Sequence, residues 1–329
     1  MHPLSDMKLE RPASAEQAVA LLAAEPGARL LAGGTDLVPN LRRGIGKPTT
    51  LVDVSALPGF AALAAAADGN FRLGAGLTLA TLARDPLLAA RLPALAAAAA
   101  AAAGPAHRSA ATLGGNLCQD TRCVYYNQSE WWRAANHYCL KLGGDTCHVA
   151  PQGKRCHAAF CSDLAPVLLA LHAEAELLSP GGTRRTPLAA MYRDDGAAHL
   201  TLARDEILTA VQVPAAPAGL RLGFRKSRVR GAMDFPLASV AVAVTLGEGK
   251  AAPLTSLAVG ISGTNSHPLQ LQGTEALVGR PLDEAALAAL GKLVQTQVSP
   301  MRSTVTSSNH RRLVASVLAQ RLLRELATA

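Results

Sequence analysis

Four thiols, Cys123, Cys139, Cys147 and Cys156, follow one another as C-x15-C-x7-C-x8-C, and they are the residues of this chain whose type and spacing point most directly to chemistry. All six cysteines of the 329 residues fall between Cys118 and Cys161, about an eighth of the length. Of the eleven aromatics (five Phe, two Trp, four Tyr), six share that window: Tyr125, Tyr126, Trp131, Trp132, Tyr138 and Phe160. The flanking sequence is rich in Ala and Leu, so the cysteine segment has a composition foreign to its host. Separated thiolates on an irregular loop can close around a metal centre, which then organises the loop.

Three chemistries compete for such a set. Disulfides need an oxidising compartment. The N-terminus, MHPLSDMKLERPAS, lacks the apolar region of a secretory signal, and no apolar run is long enough to span a membrane. The expectation is a cytoplasmic protein with reduced thiols and no membrane association. Structural zinc usually draws on close C-x2-4-C pairs. The nearest pairs here are Cys118/Cys123 and Cys156/Cys161, each with four intervening residues, and His137, His148 or His157 could stand in for a thiolate. Wide single-cysteine spacing suits an iron–sulfur cubane better, because each iron takes one protein thiolate. Iron–sulfur is the favoured reading, with zinc kept open.

A phosphate-binding pattern lies outside this segment. A capping box at Ser14–Gln17 opens a helix over Ala15–Ala24, and a short apolar strand at Ala28–Ala32 runs straight into Gly33-Gly34-Thr35-Asp36. A short helix over Leu37–Arg43 and a strand at Thr50–Val54 follow. Glycines let backbone N–H groups approach an anion closely, although strand–Gly-Gly–helix turns also serve as plain connections. The theme recurs at Ala111–Asn116 (ATLGGN), and Leu73–Gly76 (LGAG) ends a strand between the two, with Thr78 placed to cap a helix over Leu79–Arg84. Two such loops could embrace a pyrophosphate from both sides. Neither fits the G-x-G-x-x-G fingerprint of a Rossmann fold, and Asp53 reads as a surface carboxylate rather than a ribose ligand.

Length suggests two domains. The net charge of +8 (32 Lys+Arg, 24 Asp+Glu) favours an anionic partner, but the basic residues are scattered and the aromatics lack interleaved cations, so nucleic acid is not expected. In the second half, Glu174–Leu178 and Thr183–Pro187 predict a hairpin about Pro180-Gly-Gly182, Ile207–Val213 a strand, and Pro214–Gly219 a linker. Strands over Leu237–Leu246 and Leu254–Ile261 and helices over Asp283–Val298 and Ser308–Leu326 complete the reading. The last helix carries an apolar stripe of Leu313, Val314, Val317, Leu318 and Leu322. No catalytic acid–base pair, no nucleophile with its base and no molybdenum or pterin signature is visible in this half.

The motifs Leu31–Leu37 (LAGGTDL), Leu73–Gly76 (LGAG), Thr112–Asn116 (TLGGN), Ser162–Pro166 (SDLAP) and Arg228–Pro236 (RVRGAMDFP) resemble the FAD-binding subunits of the xanthine dehydrogenase family of molybdenum hydroxylases, over essentially the whole chain. Cys123–Trp132 (CVYYNQSEWW) and Cys147–Cys156 (CHVAPQGKRC) are similar to the branch formed by the β subunits of 4-hydroxybenzoyl-CoA reductases, whose insert holds a [4Fe–4S] cluster that other members lack.

The resemblance implies an α+β fold: a two-part FAD-binding domain of the vanillyl-alcohol-oxidase (PCMH) type over residues 1–217, with the cysteine insert at about 117–160, then a smaller α+β domain over residues 218–329. It implies FAD on Leu31, Ala32, Gly33, Gly34, Thr35, Asp36 and Leu37 and on Thr112, Leu113, Gly114, Gly115 and Asn116, with Gln119 a further flavin-side candidate. Asp163 would meet the ribityl or ribose side, and Leu208 and Lys226 the isoalloxazine ring. The bland alternatives are a helix N-cap for Asp163 and a solvated strand face for Lys226. Cys123, Cys139, Cys147 and Cys156 would ligate one [4Fe–4S] cluster, leaving Cys118 and Cys161 as small buried residues at the base of the insert. The implied partners are a large molybdopterin subunit and a small subunit with two [2Fe–2S] centres, in a dimer of heterotrimers, with ferredoxin as electron donor for reductive dehydroxylation of 4-hydroxybenzoyl-CoA to benzoyl-CoA. The rival readings are an outward-running molybdenum hydroxylase and a non-redox scaffold with a zinc loop.

Overall fold

The computed structural model describes residues 6–231, 233–249, 252–302 and 306–328. Its first layer is a small parallel sheet. Strand β1 (Lys8–Glu10) and strand β2 (Ala28–Leu31) flank β3 (Thr50–Asp53), and α1 (Ala15–Ala24) and α2 (Leu37–Leu41) connect them. Ser14 caps α1 by accepting from the Gln17 N–H at 3.2 Å. Gln17 Oε1 accepts from the Ala13 N–H at 2.6 Å, one residue earlier than a regular capping box.

The second layer is a five-stranded antiparallel sheet in the order β4 (Leu63–Ala65), β5 (Phe71–Gly74), β8 (Ile207–Val213), β6 (Glu174–Ser179), β7 (Gly182–Pro187). The β6–β7 hairpin closes at Ser179 opposite Gly182. Between β5 and β6 the chain runs through α3 (Leu79–Arg84), α4 (Pro86–Arg91), α5 (Pro93–Ala101), α6 (Pro105–Arg108), α7 (Leu113–Leu117), the insert with its helix α8 (Glu130–Ala135), and α9 (Ala165–Ala170). Each start obeys local chemistry: Thr78 caps α3, Asp85 caps α4 ahead of Pro86, and Thr112 caps α7. One face of α5 belongs to the core; Ala94, Leu95, Ala98 and Ala99 are buried, while Ala97 and Ala100 are exposed. No helix among the described residues is long and apolar enough to cross a membrane.

The third layer is an antiparallel sheet in the order β12 (Leu269–Gln270), β11 (Leu254–Ser262), β10 (Ala238–Leu246), β9 (Arg221–Ser227), followed by α10 (Glu284–Gln297) and α11 (Ser308–Thr328). The two-residue period of β10 sorts its side chains onto two cores. Ala238, Val240, Val242 and Val244 face α10 and α11, whereas Ala241 and Ala243 join the main core under α9. Small residues are required on the second face. A Cβ on Gly260 of β11 would stand 2.0 Å from the Pro166 carbonyl oxygen, so only glycine lets α9 approach this closely.

Helix α11 does not bury the stripe expected of it. Leu313 is 54% exposed, and Val314, Val317 and Leu318 are only half-buried. The inward face is Arg311, Ala315, Ser316, Ala319, Leu322 and Leu323. Gly291 of α10 lies against Ser316 and Gln320, and that close helix contact needs small partners rather than leucines.

Gly260→Ala is expected to destabilise the chain by about 1–3 kcal/mol through overpacking against a backbone that cannot swing aside. An unchanged denaturant midpoint would mean that α9 can slide on the sheet.

Candidate functional site

Three glycine motifs that are far apart in sequence meet at one place. A Cβ on Gly33 would lie 1.8 Å from the Ala110 carbonyl oxygen, so the first loop rests directly on the chain leading into the TLGGN motif. Gly34 adopts φ +70°, which turns β2 sharply into α2. The LGAG turn is laced to the same segment: the N–H of Leu113 donates to Leu77 O and that of Gly114 to Ala75 O, each at 2.8 Å, while the N–H of Leu79 donates to Ala111 O. The two outer motifs differ in what they leave free. In Thr112–Asn116 the N–H groups of Leu113, Gly114, Gly115 and Asn116 are all bonded within the protein. In the first loop the N–H groups of Gly33, Gly34, Thr35 and Asp36 have no acceptor among the described residues, and residues 31–37 are half-exposed. An anion would find its backbone donors there.

The other flavin-side candidates lie around this junction. Asn116 Oδ1 accepts from Ser162 Oγ at 2.6 Å, and Gln119 Nε2 donates back to the Asn116 carbonyl at 3.0 Å. Leu208, on β8, is buried in the main core beside Thr209, whose carbonyl accepts from Ala75 N–H. Asp163 is not a helix cap; Ser162 Oγ takes that role by accepting from the Ala165 N–H. The Asp163 carboxylate instead accepts from Lys226 Nζ at 2.6 Å and Ser239 Oγ at 2.7 Å, with 5% and 4% of the Asp163 and Lys226 side chains exposed. Lys226 is therefore not on a solvated face. It shares the inward side of β9 with Phe224 and also donates to the Ala101 carbonyl ending α5. Burial pushes the Asp163 carboxyl above its usual range, and Lys226 and Ser239 oppose that push.

The cysteine insert is closed at its neck by a two-way backbone pair: Arg122 N–H donates to Ala159 O and Ala159 N–H to Arg122 O, both at 2.8 Å. Inside, Cys123, Cys139, Cys147 and Cys156 line a single hollow together with Tyr125, Tyr126 and Lys141. Cys123, Cys147 and Cys156 are buried and Cys139 is half-buried. The N–H of Tyr125 points at the Cys123 sulfur and that of Ala158 at the Cys156 sulfur, each at 3.4 Å. Burial raises the Cys123 thiol and pushes Cys156 up to about 11, against those N–H groups. A metal bound there would have to displace protons. Among the described residues no group of three or more His, Cys, Asp or Glu is placed to hold a metal ion. The thiols surround a space rather than converge on a point. Cys118 and Cys161 lie apart from the hollow and are raised by burial to about 12 and about 11. All six cysteines are unpaired.

Asp36 and several partly or fully buried groups that the sequence did not single out join the two regions. Asp36 accepts from the Arg122 guanidinium and, at 2.9 Å, from the Asp120 N–H. Asp120 accepts from Lys141 Nζ at 2.5 Å and Tyr126 hydroxyl at 2.6 Å, and Lys141, 6% exposed, lies 4.1 Å over the Tyr126 ring. His199, lowered to about 4 by burial, is neutral near pH 7 and donates from Nε2 to the Gln119 carbonyl. The buried Arg122 Nε has no partner among the described residues, and its guanidinium lies 5.0 Å from the centre of the Phe235 ring. Isolated charged residues in loops carry no local pattern; only their pairing across the fold reveals them.

Residues 5–216 match the family described as the FAD binding domain in molybdopterin dehydrogenase, and residues 223–326 the CO dehydrogenase flavoprotein C-terminal domain. The chain belongs to the FAD-binding subunits of the xanthine dehydrogenase and CO dehydrogenase family. It is 29% identical over 323 residues to the putative xanthine dehydrogenase FAD-binding subunit of Escherichia coli K12, covering 97% of this chain and 95% of that one. The aldehyde oxidoreductase FAD-binding subunit of the same strain is 32% identical over 304 residues, covering 90% and 92%. The fold matches a chain of the reconstituted CO dehydrogenase from Oligotropha carboxidovorans with a TM-score of 0.80 at 25% identity, covering 99% of both. FAD binding and an oxidoreductase role follow from membership, and the free amides of residues 33–36 fit a flavin diphosphate.

Two outcomes are expected. Gly33→Ala, whose methyl would collide with the Ala110 carbonyl, lowers FAD occupancy of the purified chain, read from its flavin absorbance; full occupancy would remove the loop from the site. Asp163→Asn leaves Lys226 buried without its counter-charge and costs about 3–5 kcal/mol in denaturant unfolding, whereas a loss below about 1 kcal/mol would show that the lysine reaches water.

Proposed function

We propose that this chain is the electron-relay subunit of a molybdenum enzyme of the 4-hydroxybenzoyl-CoA reductase type, holding FAD at the glycine junction and one [4Fe–4S] cluster on Cys123, Cys139, Cys147 and Cys156. The observation that carries the reading is the hollow shared by these four thiols. A single zinc ion needs its ligands gathered tetrahedrally at about 2.3 Å, whereas a cubane takes one thiolate at each iron, so thiols spread around a space suit the cluster. The N–H groups of Tyr125 and Ala158 would hydrogen-bond ligand sulfurs, a device that tunes such centres.

FAD, when bound, exchanges electrons singly or in pairs and so lets one-electron centres serve a two-electron reaction. The chain's residues divide the remaining work. The amides of Gly33, Gly34, Thr35 and Asp36 hold the diphosphate. Lys226, fixed by Asp163 and Ser239, supplies a cation that favours a reduced anionic ring, with Leu208 at the ring and Asp163 toward the ribityl or ribose side. The TLGGN motif, its amides already engaged, would act as the wall that fixes the first loop.

The relatives are by name subunits of larger enzymes, which supports partner subunits for this chain; the partners proposed are a large molybdopterin subunit and a small subunit with two [2Fe–2S] centres, in a dimer of heterotrimers. A ferredoxin would supply electrons for reductive removal of the phenolic hydroxyl, as in anaerobic degradation of aromatic compounds. One observation favours a second reading. The relatives are named as a xanthine dehydrogenase and an aldehyde oxidoreductase, which suits a hydroxylase running outward on a heteroaromatic or acyl-CoA substrate.

About four irons per anaerobically purified chain are expected from elemental analysis, as one cubane requires; one zinc and no iron would overturn the cluster. Cys147→Ser should lose the iron and still take up FAD at saturating flavin. Failure to bind FAD at any concentration would make the insert part of the flavin site itself. In the assembled complex, benzoyl-CoA formed from 4-hydroxybenzoyl-CoA with reduced ferredoxin separates the first reading from the second.

A further inference from the structure

We propose that Asp36 is a positioning residue that couples the two cofactor sites, so that loading the metal centre tightens FAD and bound FAD slows loss of the metal; this rests on the FAD and cluster assignments above. The backbone of Asp36 belongs to the loop whose amides are free, but its carboxylate faces the other way, into the neck of the insert. It accepts from the Asp120 N–H at 2.9 Å and from the Arg122 guanidinium. Both contacts continue into the hollow. Asp120 holds Lys141 at 2.5 Å and Tyr126 at 2.6 Å, and both side chains line the space between the thiols. Arg122 is paired by its backbone with Ala159 and directly precedes Cys123, while Ala158 sends its N–H to the Cys156 sulfur. One carboxylate thus touches the entry of the cysteine segment directly and its exit through the Arg122–Ala159 backbone pair, with 25% of Asp36 and 16% of Arg122 exposed.

The insert carries one short α-helix, a 3-10 turn at Leu140–Leu142 and a small satellite core in which Cys123, Tyr126, Cys156 and Ala158 pack with Ile45. Four bonds to a metal centre would therefore supply much of its order. Without them, Asp120 and Arg122 are no longer held against Asp36, and the glycine loop must be ordered by FAD alone. Ordering shared between two ligands makes each bind better in the presence of the other, by the same factor in both directions.

The test titrates FAD into the full-length flavin-free chain, once loaded with its iron and once stripped by chelator under anaerobic reducing conditions, following flavin fluorescence. The wild-type chain should bind FAD about ten-fold more weakly after stripping. In Asp36→Asn, which keeps an acceptor for the Asp120 N–H but loses the charge facing Arg122, that ratio should fall toward one. Arg122→Gln breaks the same contact from outside the flavin loop and should do likewise, so a failure of either variant to fold leaves the other to decide. Chelator-driven iron release should be slowed by saturating FAD in the wild type and not in the variants. Equal FAD affinity in loaded and stripped wild type, or a ratio that survives in both variants, would overturn the coupling while leaving the cluster in place. A chain that takes up no iron overturns the coupling and the cluster assignment together.

Discussion

Burying a charge is costly unless it is paired and hydrogen-bonded, and the cysteine insert is organised around meeting that requirement. Its 3 interior cations, Arg122, Arg133 and Lys141, reach carboxylates and backbone carbonyls that no ladder of strands would otherwise satisfy. Arg133, 2% exposed, donates to the carbonyls of Gln128 and Arg43 and to Glu130, which ties α8 to the segment after α2. Lys141 holds Asp120 and Thr121. These contacts share with the proposed metal centre the task of ordering a nearly irregular stretch of chain around the four thiols. The geometry of the candidate metal centre therefore depends on ion pairs made away from the thiols themselves.

The flavin junction is held by different means. There, glycines permit backbone to touch backbone, and one buried acid–base pair joins three elements: Asp163 just ahead of α9, Lys226 on β9 and Ser239 on β10. Because β9 and β10 belong to the C-terminal sheet, the pair ties that sheet to the segment leading into α9. The alanine and glycine face of that sheet, pressed against α9, is the packing counterpart of the same union.

Most elements were legible because their signals are local. Ser14, Thr78 and Asp283 cap the helices they announce, and the apolar runs of β8 and β10 are buried along most of their length. The family and its fold were legible in the short glycine motifs. The misreadings share one cause, which is that they concern partners distant in the chain. Asp163 looked like a cap until Ser162 was seen to do that work. Lys226, inside a basic run, faces inward because Asp163 waits 63 residues earlier. The face of α11 was misjudged because large apolar residues draw attention while a tight helix contact selects Ala315, Ser316 and Ala319. Asp120, Arg122 and Lys141 carried no local pattern at all, and the glycine motif that contains Asp36 did not announce the contacts of its carboxylate with them.

The neck formed by Arg122 and Ala159 bears on how such a segment could have been acquired. Residues paired across an antiparallel bridge lie about 5 Å apart, so the chain leaves the host and returns to it almost at the same point. Joining that gap by a tight turn or by some 35 residues asks nearly the same of the surrounding fold, since loop-closure entropy grows only slowly with length. A segment mounted on such a neck can lengthen or shorten with little strain on the strands and helices that flank it, while contacts such as Asp36–Arg122 and Arg133–Arg43 fix how it sits.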